Sequence, residues 1–128
     1  MNAPNNTPWP KRVVLDFDGV VHQAITPWTT PEVIPDPPVD YAFKAIEEYV
    51  QGGYRVSIHS GRSVKIEARR AMMEWFLKQG MSPQLLEHLD FPDHKPNADL
   101  YIDDKGFQFR GTFPTVEYID SYRPWNRV

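Results

Sequence analysis

Two short apolar runs near opposite ends of the chain both finish in carboxylates. Arg12-Val13-Val14-Leu15 runs into Asp16, and Leu100-Tyr101-Ile102 runs into Asp103-Asp104. A continuous apolar run of this length fits a strand buried on both faces, as in a parallel sheet. Ionised acids at the end of a buried strand are costly unless water or a cation meets them. The two runs therefore constrain both the fold and the place where polar chemistry can sit.

Between them, strand and helix patterns alternate. Asp40–Gln51 predicts a helix, with Asp40 as N-cap, Phe43, Ile46 and Val50 on one face, and Gly52-Gly53 as the stop. Tyr54–His59 predicts the second strand. Ser63–Gln79 predicts the longest helix, with Val64, Ala68, Ala71, Met72, Trp75 and Phe76 at helical spacing and Gly80 just past its end. Leu89–Phe91 and Asp99–Asp103 are expected as the third and fourth strands, and Phe107–Arg110 as a fifth, on an edge. Pro114–Tyr122 is expected as a last helix with Pro in its first turn.

Such alternation implies an α/β domain, with a mostly parallel sheet covered by helices on both faces. A length of 128 residues suits a single core. The expected division is a loose, polar, Pro-rich tail over 1–10, one folded unit over 11–122, and a C-terminal tail over 123–128. In open parallel sheets, ligands sit outside the carboxyl ends of the strands. Asp16, Ser60 and Asp103 all fall at such ends and should converge on one rim.

Composition excludes several classes. The absence of cysteine rules out disulfides, thiolate chemistry and zinc sites built on Cys. A net charge of −3 disfavours a generic nucleic-acid coat protein. No run is long and apolar enough for a membrane span, and the first residues lack the basic-then-apolar order of a signal peptide. A cytoplasmic protein without a membrane partner is expected. Thirteen prolines are present, and Pro27, Pro31, Pro35, Pro37 and Pro38 cluster after the first acidic motif. That stretch, 24–39, is neither helix nor central strand. It is a loop placed to wall a site, or to act as a partial lid.

Four short pieces carry chemistry. In Asp16-Phe17-Asp18-Gly19, two acids sit where a strand breaks. One carboxylate can attack phosphorus to give an acyl phosphate, and a second can protonate the leaving oxygen and then activate water. A solvated acidic turn is the plainer alternative. Ser60-Gly61-Arg62 lies between the second strand and the long helix. A helix N-terminus there would offer N–H groups to an anion, with Arg62 as a substrate contact or a loop cap; helix capping alone explains Ser60 equally well. Lys95-Pro96 supplies a cation that would offset charge on a transferring phosphoryl group, or is an ordinary loop lysine. Asp103-Asp104 can hold a hard divalent ion such as Mg²⁺, or form a surface turn with Lys105-Gly106.

In this order and spacing, the four pieces resemble the short motifs of the haloacid dehalogenase (HAD) superfamily, from Arg12 to about Ile119. The resemblance implies a Rossmann-like catalytic domain, with Asp16 as nucleophile and Asp18 as general acid/base. It implies Ser60, Gly61 and Lys95 as phosphate-binding residues. It also implies a Mg²⁺ site made by Asp16, the Asp18 backbone carbonyl, Asp103 and Asp104. An aspartate at the second position resembles the phosphatase or mutase branch. Neither gap between motifs is long enough for a folded cap domain, which resembles the capless branch. The function implied is magnesium-dependent phosphomonoester hydrolysis of an unspecified small molecule or polymer end. Rival readings are a phosphotransferase or mutase, a catalytically silent HAD-like binding or regulatory module, and a phosphatase that processes nucleic-acid ends. A homo-oligomer is compatible with an open site.

Other polar and aromatic residues lie near these motifs or outside the core elements. His22, His59 and His94 lie close to motifs, though a lone His is more often structural. Lys65, Arg69 and Arg70 form a basic stretch expected to be a solvated helix face. Trp9, Trp28 and Trp125 lie outside the expected core elements, where packing against the domain is the first expectation.

Overall fold

A computed structural model describes residues 11–126. The N-terminal tail, with Trp9, and the last two residues of the C-terminal tail lie outside the described residues. Strand β1 (Arg12–Asp16) leads through the Pro-rich loop to helix α1 (Ala42–Gln51) and strand β2 (Arg55–His59). A 3₁₀ turn over Gly61–Val64 precedes helix α2 (Ile66–Lys78). A short helix α3 (Pro83–Leu86), strands β3 (Leu89–Asp90) and β4 (Leu100–Ile102), and helix α4 (Val116–Ser121) complete the order. The four strands form one parallel sheet in the order β3-β2-β1-β4.

That order positions the site. The chain steps from β1 to β2 to β3 in one direction, then returns to pair β4 on the other side of β1. Adjacent β1 and β4 thus leave a crevice at their carboxyl ends, where the topology switches. Asp16 closes β1, and Asp103 follows β4 directly.

Leu15 is the register partner of both Ile58 and Ile102, so these three share a sheet face. They belong to one core with Ile46 of α1 and Met72, Trp75 and Phe76 of α2. Both long helices therefore cover the same face, as right-handed crossovers in a single direction require. The opposite face carries Arg12, Val14 and Tyr101. There the irregular 91–99 segment crosses, with Arg12 donating to the Asn97 carbonyl (3.3 Å) and the Tyr101 hydroxyl to the Pro96 carbonyl (2.7 Å). Of the helices expected to cover both faces of the sheet, α1 and α2 thus lie on the one face that carries Leu15.

Several expected boundaries also shift. Asp40 does not cap α1. The Val39 N–H bonds to the Val21 carbonyl (2.8 Å), which pins the approach, and the chain enters the helix through Tyr41 at φ +73° with no side-chain cap. The long helix begins later than Ser63. Val64 belongs to the 3₁₀ turn, leaves the helical phase and is exposed. Phe107–Arg110 is not a strand: its aromatics find local partners, Phe107 with Tyr118 and Phe109 with Phe113. Pro114 lies outside α4, which Thr115 caps through the Tyr118 N–H (3.1 Å). The short α3 was not anticipated, although Ser82 caps it and Pro83 begins it.

Candidate active site

The acids from the two ends of the chain do meet. Asp16, Asp103 and Asp104 each place a carboxylate oxygen within 4.8 Å of the others. Asp16 Oδ1 accepts the Phe17 N–H (2.9 Å). Asp103 Oδ1 accepts the N–H groups of Lys105 (2.7 Å) and Gly106 (3.1 Å), which fixes the turn after β4. Burial, then the charges of Asp103 and Asp104, push Asp16 up to about 7.

This donor set fits a hard divalent cation. Three carboxylates converge, and Asp104 Oδ1 is buried without a hydrogen-bond partner. The remaining carboxylate oxygen of Asp104 lies against Gly19. Gly19 has φ +83°, and a Cβ placed on it would sit 2.2 Å from Asp104 Oδ2. Glycine is required here both by backbone conformation and by the close approach of the second acidic loop.

The turn after β1 is built on the Phe17 carbonyl, which accepts from Val20, Val21 and His22. The Asp18 backbone carbonyl, expected to face a metal, enters none of these bonds. The Asp18 side chain is committed elsewhere. Arg62 Nε donates to Asp18 Oδ1 (3.2 Å) and Oδ2 (2.9 Å), and Nη2 donates to Oδ1 (3.0 Å). His22 Nδ1 lies 2.9 Å from Oδ1. Because His22 Nε2 accepts the Asp36 N–H (3.0 Å), Nδ1 is the protonated nitrogen of the neutral ring and donates to Asp18. Burial pushes the Asp18 carboxyl up, but the bonds from His22 and Arg62 and the Arg62 charge outweigh it, and Asp18 lies below its ordinary value.

The Arg62 hydrogen-bonding groups are correspondingly committed within the protein. Its side chain is buried, and Nη1 donates to the carbonyls of Pro31 (2.7 Å) and Val33 (3.0 Å). Its guanidinium carbon lies 4.4 Å from the Trp28 ring centroid and 5.9 Å from that of Phe17. The Pro-rich loop is bound further by Asp36, which accepts from the N–H groups of Ile25 and Thr26 (2.7 Å each), while the Trp75 indole donates to the Asp36 carbonyl (3.0 Å). So tied, the loop forms a fixed wall.

Ser60 caps the 3₁₀ turn. Its Oγ accepts the Arg62 N–H (3.0 Å), and its own N–H donates to Ser63 Oγ (3.1 Å). The expected anion site at the N-terminus of the long helix is therefore not formed there, since α2 starts only at Ile66. The Ser60 hydroxyl proton and the Gly61 N–H enter none of these bonds. Both residues line a cavity of about 190 Å³ that also touches Asp16, His59, Lys95, Tyr101 and Asp103. Lys95 is held over the Tyr101 ring, 4.7 Å from its centroid. Burial, then the charges of Lys95 and His94, lower the His59 pKa. His94 is exposed and pairs with Asp93 (2.9 Å).

The C-terminal segment crosses both acidic loops. The Tyr122 hydroxyl donates to the Asp104 carbonyl, and the Trp125 indole donates to the Gly19 carbonyl (2.6 Å). Asn126 donates to the Gln23 carbonyl (3.0 Å). Sequence reasoning reached Asp16, Ser60, Gly61, Lys95, Asp103 and Asp104, which the structure brings together. It missed the Arg62 clamp, the support of Lys95 by Tyr101, and Tyr122. Trp125, expected to pack against the domain, meets it at the Gly19 carbonyl.

Comparison of the chain with known family models, characterised proteins and solved structures finds no match. Among the described residues no helix is long and apolar enough to cross a membrane.

Proposed function

We propose that the chain is a capless phosphomonoester hydrolase of the haloacid dehalogenase type, magnesium-dependent and working through an aspartyl phosphate on Asp16. One observation carries this reading: Asp16, Asp103 and Asp104 come from two distant strands to one rim, close enough to share a cation, with an Asp104 oxygen left unpartnered.

Asp16, Asp103 and Asp104 would hold Mg²⁺, which when bound polarises phosphoryl oxygens and screens negative charge. Asp16 attacks phosphorus, the ester P–O bond breaks, and the departing alkoxide takes a proton from the protonated form of Asp18. Water then attacks the acyl phosphate, releasing inorganic phosphate and restoring the carboxylate. The Ser60 hydroxyl and Lys95 line the cavity beside Asp16 and would bind the phosphoryl oxygens. Asp18, ionised in its clamp, suits the step in which a base takes a proton from water. Asp18 can donate to the leaving oxygen only after taking up a proton, such as the one water gives it in the preceding turnover, and in that neutral form it no longer pairs its charge with Arg62.

Turnover of acetyl phosphate and an aryl phosphate, with and without Mg²⁺, tests the reading. Asp16→Asn is expected to abolish turnover while leaving the circular dichroism spectrum unchanged. Retained magnesium-dependent turnover in that variant removes the nucleophile assignment. A second reading, a catalytically silent domain of the same type, is favoured by the Arg62 clamp on Asp18. Mg²⁺ binding without any turnover would support it.

A further inference from the structure

Beside the cavity that holds Asp16 lies a second, larger cleft of about 460 Å³. Gly61 lines both, and beyond its chain neighbours no heavy atom lies within 4 Å of where its Cβ would stand. Asp18 and Arg62 form the inner wall, the Pro-rich loop supplies Ile25, Trp28 and Val33, and Lys105 and Asn126 also line it. The volume is that of a small organic ligand rather than a few waters.

Trp28 is the unusual member. It is 58% exposed, a costly placement for the largest apolar side chain. Yet it is not loose. It stacks on the Arg62 guanidinium, and five hydrogen bonds fix that guanidinium to Asp18 and to the Pro31 and Val33 carbonyls. Pro27 stiffens the chain on one side. A rigid indole with one face on a buried cation and much of its surface in water is a preorganised stacking platform. The polar side chains of the inner wall, Asp18, His22 and Arg62, already bond one another. Thr26, Thr29, Lys105 and Asn126 add polar surface around the rest of the cleft, and the exposed indole of Trp28 is the element that rewards a flat ring.

We propose that this cleft binds the leaving group of the substrate, and that this group carries a planar aromatic ring that stacks on Trp28. The inference rests on the phosphohydrolase reading above and assigns its substrate class: a phosphomonoester of an alcohol bearing an aromatic ring, either a nucleobase or a simple arene.

The test compares substrates that differ in the ring and not in the reacting centre: adenosine 5′-monophosphate against ribose 5-phosphate, and benzyl phosphate against ethyl phosphate, each with Mg²⁺. A ring preference in kcat/KM of about tenfold or more is expected in at least one pair, as base–aromatic stacking supplies. The first pair responding points to a nucleobase, and the second alone to a compact arene. Trp28→Ala is expected to collapse the preference, and Trp28→Phe to keep most of it. Turnover with no ring preference in either wild-type pair overturns the subsite and leaves the hydrolase reading standing. A preference that survives intact in Trp28→Ala overturns it equally. No turnover of any ester or of acetyl phosphate removes the hydrolase reading, and the subsite with it.

Discussion

Arg62 grips Asp18 through three hydrogen bonds, from a side chain that keeps only 3% of its surface in contact with solvent. A buried guanidinium that loses its carboxylate, or a carboxylate that loses its guanidinium, is left with an uncompensated charge. Arg62→Met is therefore expected to destabilise the domain by about 3–5 kcal/mol, read by chemical denaturation. Asp18 lies below its ordinary value in the folded chain, so the stability it contributes is present above that ordinary value and is lost as pH falls through the folded one. Wild type should lose stability on acidification through that window more steeply than Arg62→Met. Equal slopes would mean that the pair contributes nothing.

At the rim, Asp16 reverses this sign. Asp16 is raised from 3.8 to about 7, so between those values the folded chain holds a proton that the unfolded chain has released. Stability falls as pH rises through that window, and the penalty is complete above about 7. Asp16→Asn should thus stabilise the metal-free protein at pH 8 by roughly 2 kcal/mol after allowance for solvent screening, with little gain near pH 4. Mg²⁺ should raise the melting temperature of wild type more than that of the variant. An Asp16→Asn protein no more stable than wild type in chelator at pH 8 would contradict the repulsion argument.

Much of this site was legible because it depends on strand ends. An apolar run that stops at an acid fixes where the acid lies once the sheet is parallel, so Asp16 and Asp103 could be placed on one rim without coordinates. What could not be read are partnerships set by loop paths. Arg62 looks like a phosphate ligand from its position after Ser60-Gly61. Only the path of the Pro-rich loop, which delivers the Pro31 and Val33 carbonyls and the Trp28 ring, turns it inward. Helix onset failed for a related reason. Ser60 and Ser63 form a reciprocal cap, and the sequence does not say whether a 3₁₀ turn or an α-helix follows.

Gly19→Ala tests how closely the two acidic loops approach. The substitution meets a positive φ and places a methyl 2.2 Å from Asp104 Oδ2, so the loop after β4 must move away. Strain of the left-handed backbone alone costs about 1–2 kcal/mol. Displacing Asp104 should also weaken Mg²⁺ binding about tenfold or more, as loss of ligand support does at metal sites, measured by titration calorimetry. Unchanged Mg²⁺ affinity in a folded Gly19→Ala protein would show that Asp104 is not a ligand.

The C-terminal segment makes a sharper prediction, because the hydrogen bonds it gives the acidic loops go to their backbone carbonyls. Tyr122 holds the Asp104 carbonyl and Trp125 the Gly19 carbonyl, so one strap joins the two loops that must meet around a cation. Neither side chain is among the three acids that converge, and both act by position. Removing a single donor, in Tyr122→Phe or Trp125→Phe, should cost about 1 kcal/mol of stability each, which alone says little. The telling measurement is the Mg²⁺ concentration for half-maximal turnover. If the strap sets the spacing of the acids, that concentration rises several-fold in each variant and further in the double variant, while turnover at saturating Mg²⁺ recovers. A fall in turnover that excess Mg²⁺ does not restore, or no change in the Mg²⁺ requirement, would reduce the strap to ordinary packing.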